Sequence, residues 1–207
     1  MKVEVGESIV YSWLRHSKGC QIVQLNWKTS PEWKTRDEQV RLQKLMNKAR
    51  KKFSNPFKQT VNIEQLLRQA EIDGIGINVL SKEIHAADVA FHESGLNYGG
   101  KTRTVQNVVK KYLRTAFALE YYFPKTWKPN IYFISPKIAV GTTDELSKEL
   151  SELRRFFSKE DLKTKLHLIA NDDFNDQILE EMKRVSLLHS DTSELFLRSV
   201  QLINMFT

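Results

Sequence analysis

The chain predicts an α/β domain: a mixed central sheet flanked by helices on both sides, with an inserted helical segment. Three observations carry that expectation. Runs of strand-like period two alternate with runs of helical period along the sequence. Hydrophobic residues make up 41% of 207 residues, which is enough for one substantial core. Uninterrupted apolar runs last only a few residues, short of the roughly 20 that a membrane-spanning helix needs. The expected layout is a single domain over 1–207, with a helical insertion at 34–70 and a C-terminal helical elaboration at 172–207.

Each element has its own signal. Ile9, Val10, Trp13 and Leu14 recur at helical spacing over 6–17, and Gly19 stands just past them as a stop. Residues 20–27 alternate as a strand, with Val23, Leu25 and Trp27 on one face and Ile22, Gln24 and Asn26 on the other. Thr29-Ser30-Pro31 ends it. A charged helix is expected over 36–52, marked by Val40, Leu42, Leu45, Met46 and Ala49, followed by a break at Asn55-Pro56. A short helix follows over 62–70, capped by Asn62. Two strands, 72–79 and 84–91, are joined through Ser81-Lys82 as a hairpin.

After a glycine-rich loop, residues 103–122 carry the widest apolar helical face in the chain, ended by Pro124. Asn130–Ile138 reads as a buried strand because Ile131 to Ile134 are continuously apolar. A helix capped by Thr142 or Thr143 is expected to run to Phe157. A short strand over 166–170 and helices over 174–188 and 192–206 complete the order.

Lysine and arginine total 32 against 25 acids, a net charge of +7, which leans towards a polyanionic partner. The positive charge is densest at Lys44 and Lys48-Ala49-Arg50-Lys51-Lys52, near Lys58. Gln106, Lys110 and Arg114 form a second polar stripe at i, i+4, i+8, which would lie along a phosphate backbone. Lys28 and Lys101 are further candidate phosphate contacts, and Tyr98 a candidate for stacking on a base. A single cysteine, Cys20, excludes an internal disulfide and a multi-cysteine zinc site, and reads as a small buried thiol. The N-terminus lacks the pattern of a secretory signal, so a cytoplasmic location is expected.

The chemistry concentrates in the hairpin. Asp73 and Asp88 both fall within strands, where aspartate is disfavoured. Asp88 sits between Ala86-Ala87 and Val89-Ala90-Phe91, an apolar run in which an acid is costly unless paired or metal-bound. Pairing about Ser81-Lys82 places Asp88 opposite about position 75, one pleat from Asp73. Two carboxylates so placed suit a hard divalent cation, Mg²⁺ or Mn²⁺, which activates water and offsets phosphate charge.

The order of elements, with Asp73 in one strand and Asp88-Val89-Ala90 in the next, resembles the restriction-endonuclease-like fold of the PD-(D/E)XK nuclease superfamily. The likeness spans about residues 6–140 and is one of topology and spacing. It implies that Glu7 is the acid of the first helix. Asp73 and Asp88 with the Val89 carbonyl would be metal ligands, and Thr104 to Tyr122 the crossover helix. The lysine expected two residues after the second acid is replaced by Ala90. His92, on the same face as Asp88 by alternation, is one candidate to stand in. A lysine from elsewhere (Lys28, Lys101 or Lys111) is the other.

The expected activity is metal-dependent hydrolysis of phosphodiester bonds in DNA, with Glu7, Asp73, Asp88, His92 and Lys111 as catalytic candidates. The alternative is a non-cutting nucleic-acid-binding or interaction module of the same fold. A third class is a protein-interaction component of a bacterial defence or mobile-element system. No membrane partner is expected, and a homodimer is compatible with the chain. Nucleophile-elbow, Walker-loop and zinc-spacing motifs are missing from the sequence.

Overall fold

The computed structural model describes residues 4–30, 33, 39–53, 56–189 and 192–206. The first helix, α1, spans Val5–His16, and β1 spans Ile22–Lys28. Helices α2 (Gln39–Lys52) and α3 (Ile63–Arg68) precede the hairpin of β2 (Glu71–Asn78) and β3 (Glu83–Val89). A long helix, α4 (Lys101–Tyr122), leads to β4 (Lys128–Ser135). Then come α5 (Val140–Lys159) and β5 (Lys165–Ala170). The chain closes with a short α6 (Asp172–Phe174), a π-helical stretch (Asn175–Leu179), α7 (Glu180–Leu188) and α8 (Leu195–Asn204).

The strands form one five-stranded mixed sheet in the order β1-β2-β3-β4-β5. The first three are antiparallel to one another, while β3-β4 and β4-β5 run parallel. Parallel neighbours need crossovers, and α4 and α5 supply them. β1 and β2 are antiparallel neighbours, so α2 and α3 fill what a tight turn would otherwise close. They pack on α4, with Leu42, Met46 and Ala49 wholly buried. These helices fall within the expected 34–70 segment, of which residues 34–38 and Asn55 lie outside the described residues, as does Pro31 before it.

The sheet divides the interior. One core lies under α2 to α5 and includes Ile72, Ile84, Ala86, Leu113 and Phe117. The other lies under α1 and the C-terminal helices, around Trp13, Leu14, Tyr132, Ile134 and Met182. Trp13 fixes the second core twice: its Nε1 donates to the Gln177 carbonyl at 3.1 Å and its ring meets Tyr132 edge-on. Cys20 is a buried free thiol, and burial pushes its pKa up to about 12. Its sulfur stands 2.7 Å from where a Gly76 Cβ would be, so β2 needs glycine there.

Several boundaries differ from expectation for local reasons. The helix expected to be capped by Thr142 or Thr143 starts earlier, with Ala139 as its N-cap. Thr143 Oγ1 instead donates to the Ala139 carbonyl. α4 begins at Lys101 because Gly100, at φ 101°, makes the turn into it. The strand expected over 130–138 spans Lys128–Ser135. The hairpin turn comprises residues 79–82, with the Asn78 side chain accepting from Ser81 N–H and Lys82 left-handed at φ 55°. The helical run expected from 174 begins at Asp172 and is broken by the π-helical stretch, and α8 lies within the range expected for the last helix. Among the described residues, no helix is long and apolar enough to cross a membrane.

Candidate functional site

The β2-β3 register sets the site. Its last recorded pair is Gly74 with Ala87, so the next residues outward are Asp73 and Asp88, directly opposed. The sequence-based register was two residues off, because the turn centres on Leu80-Ser81. A two-residue shift preserves the faces, so the two acids still share one. On the β1 side, Leu25 pairs with Gly74 and Trp27 with Ile72. The residue between, Asn26, stands beside Asp73 and is left-handed at φ 51°. Asn26, Asp73 and Asp88 therefore make one polar row across three strands.

Asp88 is 2% exposed and fully engaged. Lys111 Nζ donates to its Oδ1 at 3.0 Å, Arg114 Nη2 lies 3.4 Å from the same oxygen, and Thr115 Oγ1 donates to Oδ2 at 3.1 Å. Positions 111, 114 and 115 occupy one face of α4 by i, i+3, i+4 spacing. Arg114 also donates to the Glu71 carbonyl at 2.8 Å, tying the helix to the start of β2. Lys111 Nζ stands 3.9 Å from Asp73 Oδ2 as well, so one ammonium bridges both carboxylates.

Asp73 Oδ2 accepts the Val89 N–H at 2.7 Å. That amide thus points towards β2, and the Val89 carbonyl points the same way by strand geometry. Burial raises the Asp73 pKa; Lys111 and the Val89 amide oppose the shift, while Asp88 and Glu7 add to it. For Lys111, burial works to lower the pKa, but the charges of Asp88 and Asp73 prevail and raise it.

Glu7 enters from the first turn of α1, in a capping box with Glu4. Its Oε2 also accepts from Asn26 Nδ2 at 3.2 Å. Close packing brings it there: Gly6 leaves 3.0 Å between its Cβ position and the side chains of Val89 and Phe91. Tyr98 completes the surroundings from the loop after β3. Burial raises its pKa; Lys111 pulls it down while Asp88 and Asp73 push it up, so its phenol feels the whole cluster. His92 is exposed, and its ring meets the Tyr98 ring edge-on at 6.2 Å.

Among the lysines weighed for the vacant position, Lys111 is the one beside the acids. Ala90 is buried in the core under α4, on the face that Asp88 also uses. Lys28 pairs with Glu71 at 3.2 Å and Lys101 with Glu145 at 2.8 Å. The dense basic run is largely committed to structure. Lys48 pairs with Glu160 at 2.6 Å and Lys52 with Glu152 at 3.0 Å. Arg50 donates to the carbonyls of Lys58 and Val61. Lys51 and Lys110 are exposed, whereas Arg114 turns inward to Asp88, which breaks the expected backbone-facing stripe.

Asn26 and Thr115 were not read as site residues. An asparagine in a strand, a type that tolerates left-handed backbone, was the available signal for the first. The second had none. Among the described residues, no group of three or more His, Cys, Asp or Glu gathers closely enough to hold a metal. The oxygen set available is two carboxylates and a carbonyl, with Glu7 nearby. No protein-family model, curated protein or solved structure matches the chain.

Proposed function

We propose that the chain is a divergent metal-dependent nuclease of the restriction-endonuclease-like class, hydrolysing phosphodiester bonds in DNA. One observation carries the reading: an acid pair at the open end of β2-β3, Asp88 buried and Asp73 partly buried, is bridged by Lys111, which reaches from α4 towards the place that Ala90 leaves without a charge. With α2 and α3 set aside, the order α1-β1-β2-β3-α4-β4 is compatible with the one the resemblance implies.

Asp73, Asp88 and the Val89 carbonyl would hold Mg²⁺ or Mn²⁺, hard cations that take oxygen donors. Such an ion, when bound, lowers the pKa of water and offsets phosphate charge. The fit rests on the donors: oxygen only, on one face, with the Asp73 carboxyl kept basic by burial. Lys111 would balance the acids and orient the phosphate or the attacking water. Asn26 holds the Glu7 carboxylate on the α1 side of the row. Tyr98 and His92 border the opening, where they would contact the strand.

The test is cleavage of plasmid and single-stranded DNA with Mg²⁺ or Mn²⁺. Wild type should cut, and Asp88→Ala and Lys111→Met should each lose at least 100-fold, a scale typical of residues that act in the transition state. A second reading, a binding module that does not cut, is favoured by the donors that already surround Asp88. DNA binding without metal-dependent cutting by wild type selects that reading.

A further inference from the structure

We infer that the outer face of α8, with the end of α7, is a docking surface for a second copy of this chain, seated antiparallel about a two-fold axis. The inference does not depend on the nuclease reading above.

α8 has two sides. On the inner one, Leu197 is wholly buried and Phe196 packs against the core under α1. Gln201 Nε2 donates to the Ser186 carbonyl at 2.9 Å. Glu194, the N-cap, places Oε1 2.9 Å from His16 Nε2. The helix is therefore fixed to α7 and to α1, and its outer side is presented in one position. That side is apolar. Leu187, Leu188, Leu195, Leu202, Met205 and Phe206 are all exposed, from 55% at Leu195 to 84% among the rest. They leave about 800 Å² open, above the roughly 300–600 Å² of an ordinary monomer's largest apolar patch. The same area is about one partner's share of a standard interface.

The pattern of residues fits a second copy of itself. Leu195, Ser199, Leu202 and Phe206 recur at i, i+4, i+7 and i+11, the seam spacing of packed helices. The αR backbone at Met205 carries the turn on to Phe206. A two-fold axis passing between Ser199 and Leu202 sets Ser199 opposite Leu202 of the copy, and Leu195 opposite its Phe206. A bulky residue thus meets the smallest one in the seam. Phe206 is the most exposed aromatic among the described residues. Leu195 in turn lines an open groove of about 720 Å³, shared with Leu187, Leu202 and Met205. Each copy therefore offers one aromatic anchor and one groove to take it, the arrangement that dominates interface energies.

Charge favours a like partner over a nucleic acid. Within α8, Arg198 is the one charged residue. It lies beside the seam rather than in it, at what would be the rim. In α7, Lys183 and Arg184 pair with Glu180 and Glu181 of the same helix. The face holds no cluster of cations for a phosphate backbone and no acids for a basic partner.

The test is sedimentation equilibrium of the full chain over a concentration series. Wild type should dimerise with a micromolar Kd. Leu202→Glu, Leu195→Lys and Phe206→Glu should each weaken the dimer at least tenfold. Circular dichroism and the thermal midpoint should stay unchanged, since all three side chains are exposed. The double variant Leu195→Lys/Phe206→Glu should regain affinity over both singles, because the introduced charges oppose each other across the axis. Within one chain they stand too far apart to pair, at about 16 Å. Wild type that stays monomeric at about 100 µM, well above such a Kd, overturns the second copy in favour of an unlike apolar partner. A folded Leu202→Glu chain that dimerises like wild type overturns the face. A double variant no tighter than the singles overturns the antiparallel register.

Discussion

The sheet buries polar groups in two rows, and it treats them in opposite ways. On the α4 face, Asp73 and Asp88 keep charged partners: Lys111 between them, Arg114 beside Asp88. On the α1 face, His85, Tyr132 and His167 stack across β3, β4 and β5. His85 Nδ1 meets the Tyr132 hydroxyl at 3.0 Å, and burial lowers the pKa of both imidazoles. One row keeps its charge by pairing; the other sheds it. A group that must act on a charged substrate belongs in the first kind of row, and one that holds strands together fits the second.

Four substitutions or conditions break this contrast, in descending size of effect. Asp88→Ala leaves Lys111 and Arg114 without their main partner, so urea denaturation should show a loss of about 3–5 kcal/mol. A loss below about 1 kcal/mol would mean that water already serves both cations. Acid acts on the other row. His85 has its pKa lowered to about 4 by burial. The unfolded chain then takes up a proton below about pH 6.5 that the folded chain refuses until about pH 4. Stability is full above that window and falls across it by roughly 3 kcal/mol, at 1.36 kcal/mol per unit. His85→Gln should flatten that slope; an unchanged slope would assign it to other groups.

Lys111→Met should cost less, about 1–3 kcal/mol, because Asp88 keeps Arg114 and Thr115. A loss equal to that of Asp88→Ala would make Lys111 the sole compensating charge. Asp73→Asn is the smallest and has the opposite sign. A carboxyl whose pKa is raised on folding contributes most below its ordinary range, near pH 3.9, and loses that contribution as pH rises through the folded value. At pH 7 the amide should therefore be neutral or stabilising by up to about 1 kcal/mol. The gain should vanish at low pH while cleavage is lost. A clear loss of stability at pH 7 would show that the Lys111 contact outweighs burial.

Much of this architecture is legible in the chain. The continuous apolar run of β4 gives a central strand because both faces are covered, and the wide apolar face of α4 gives its crossover. Asp73 and Asp88 stand out as acids within strands. Their exact opposition does not, since it depends on a turn of four residues rather than two. Sequence offers Lys28, Lys101 and Lys111 alike, and only packing shows that Lys111 is the one beside the acids. Arg114 was misread for a geometric reason: each i, i+4 step advances about 40° round a helix, so from Gln106 the stripe has turned about 80° by Arg114, into the sheet. Asn26 depends on a left-handed residue within a strand, which side-chain alternation cannot reveal.

The Gly76-Cys20 contact has a practical consequence. With its pKa raised to about 12, the thiol holds almost no reactive thiolate near neutrality, and the strand packed on it leaves no room for a reagent. Alkylation must await separation of the α1-β1 joint from β2. The single thiol is therefore a built-in clock, whose rate of labelling counts the openings of that joint.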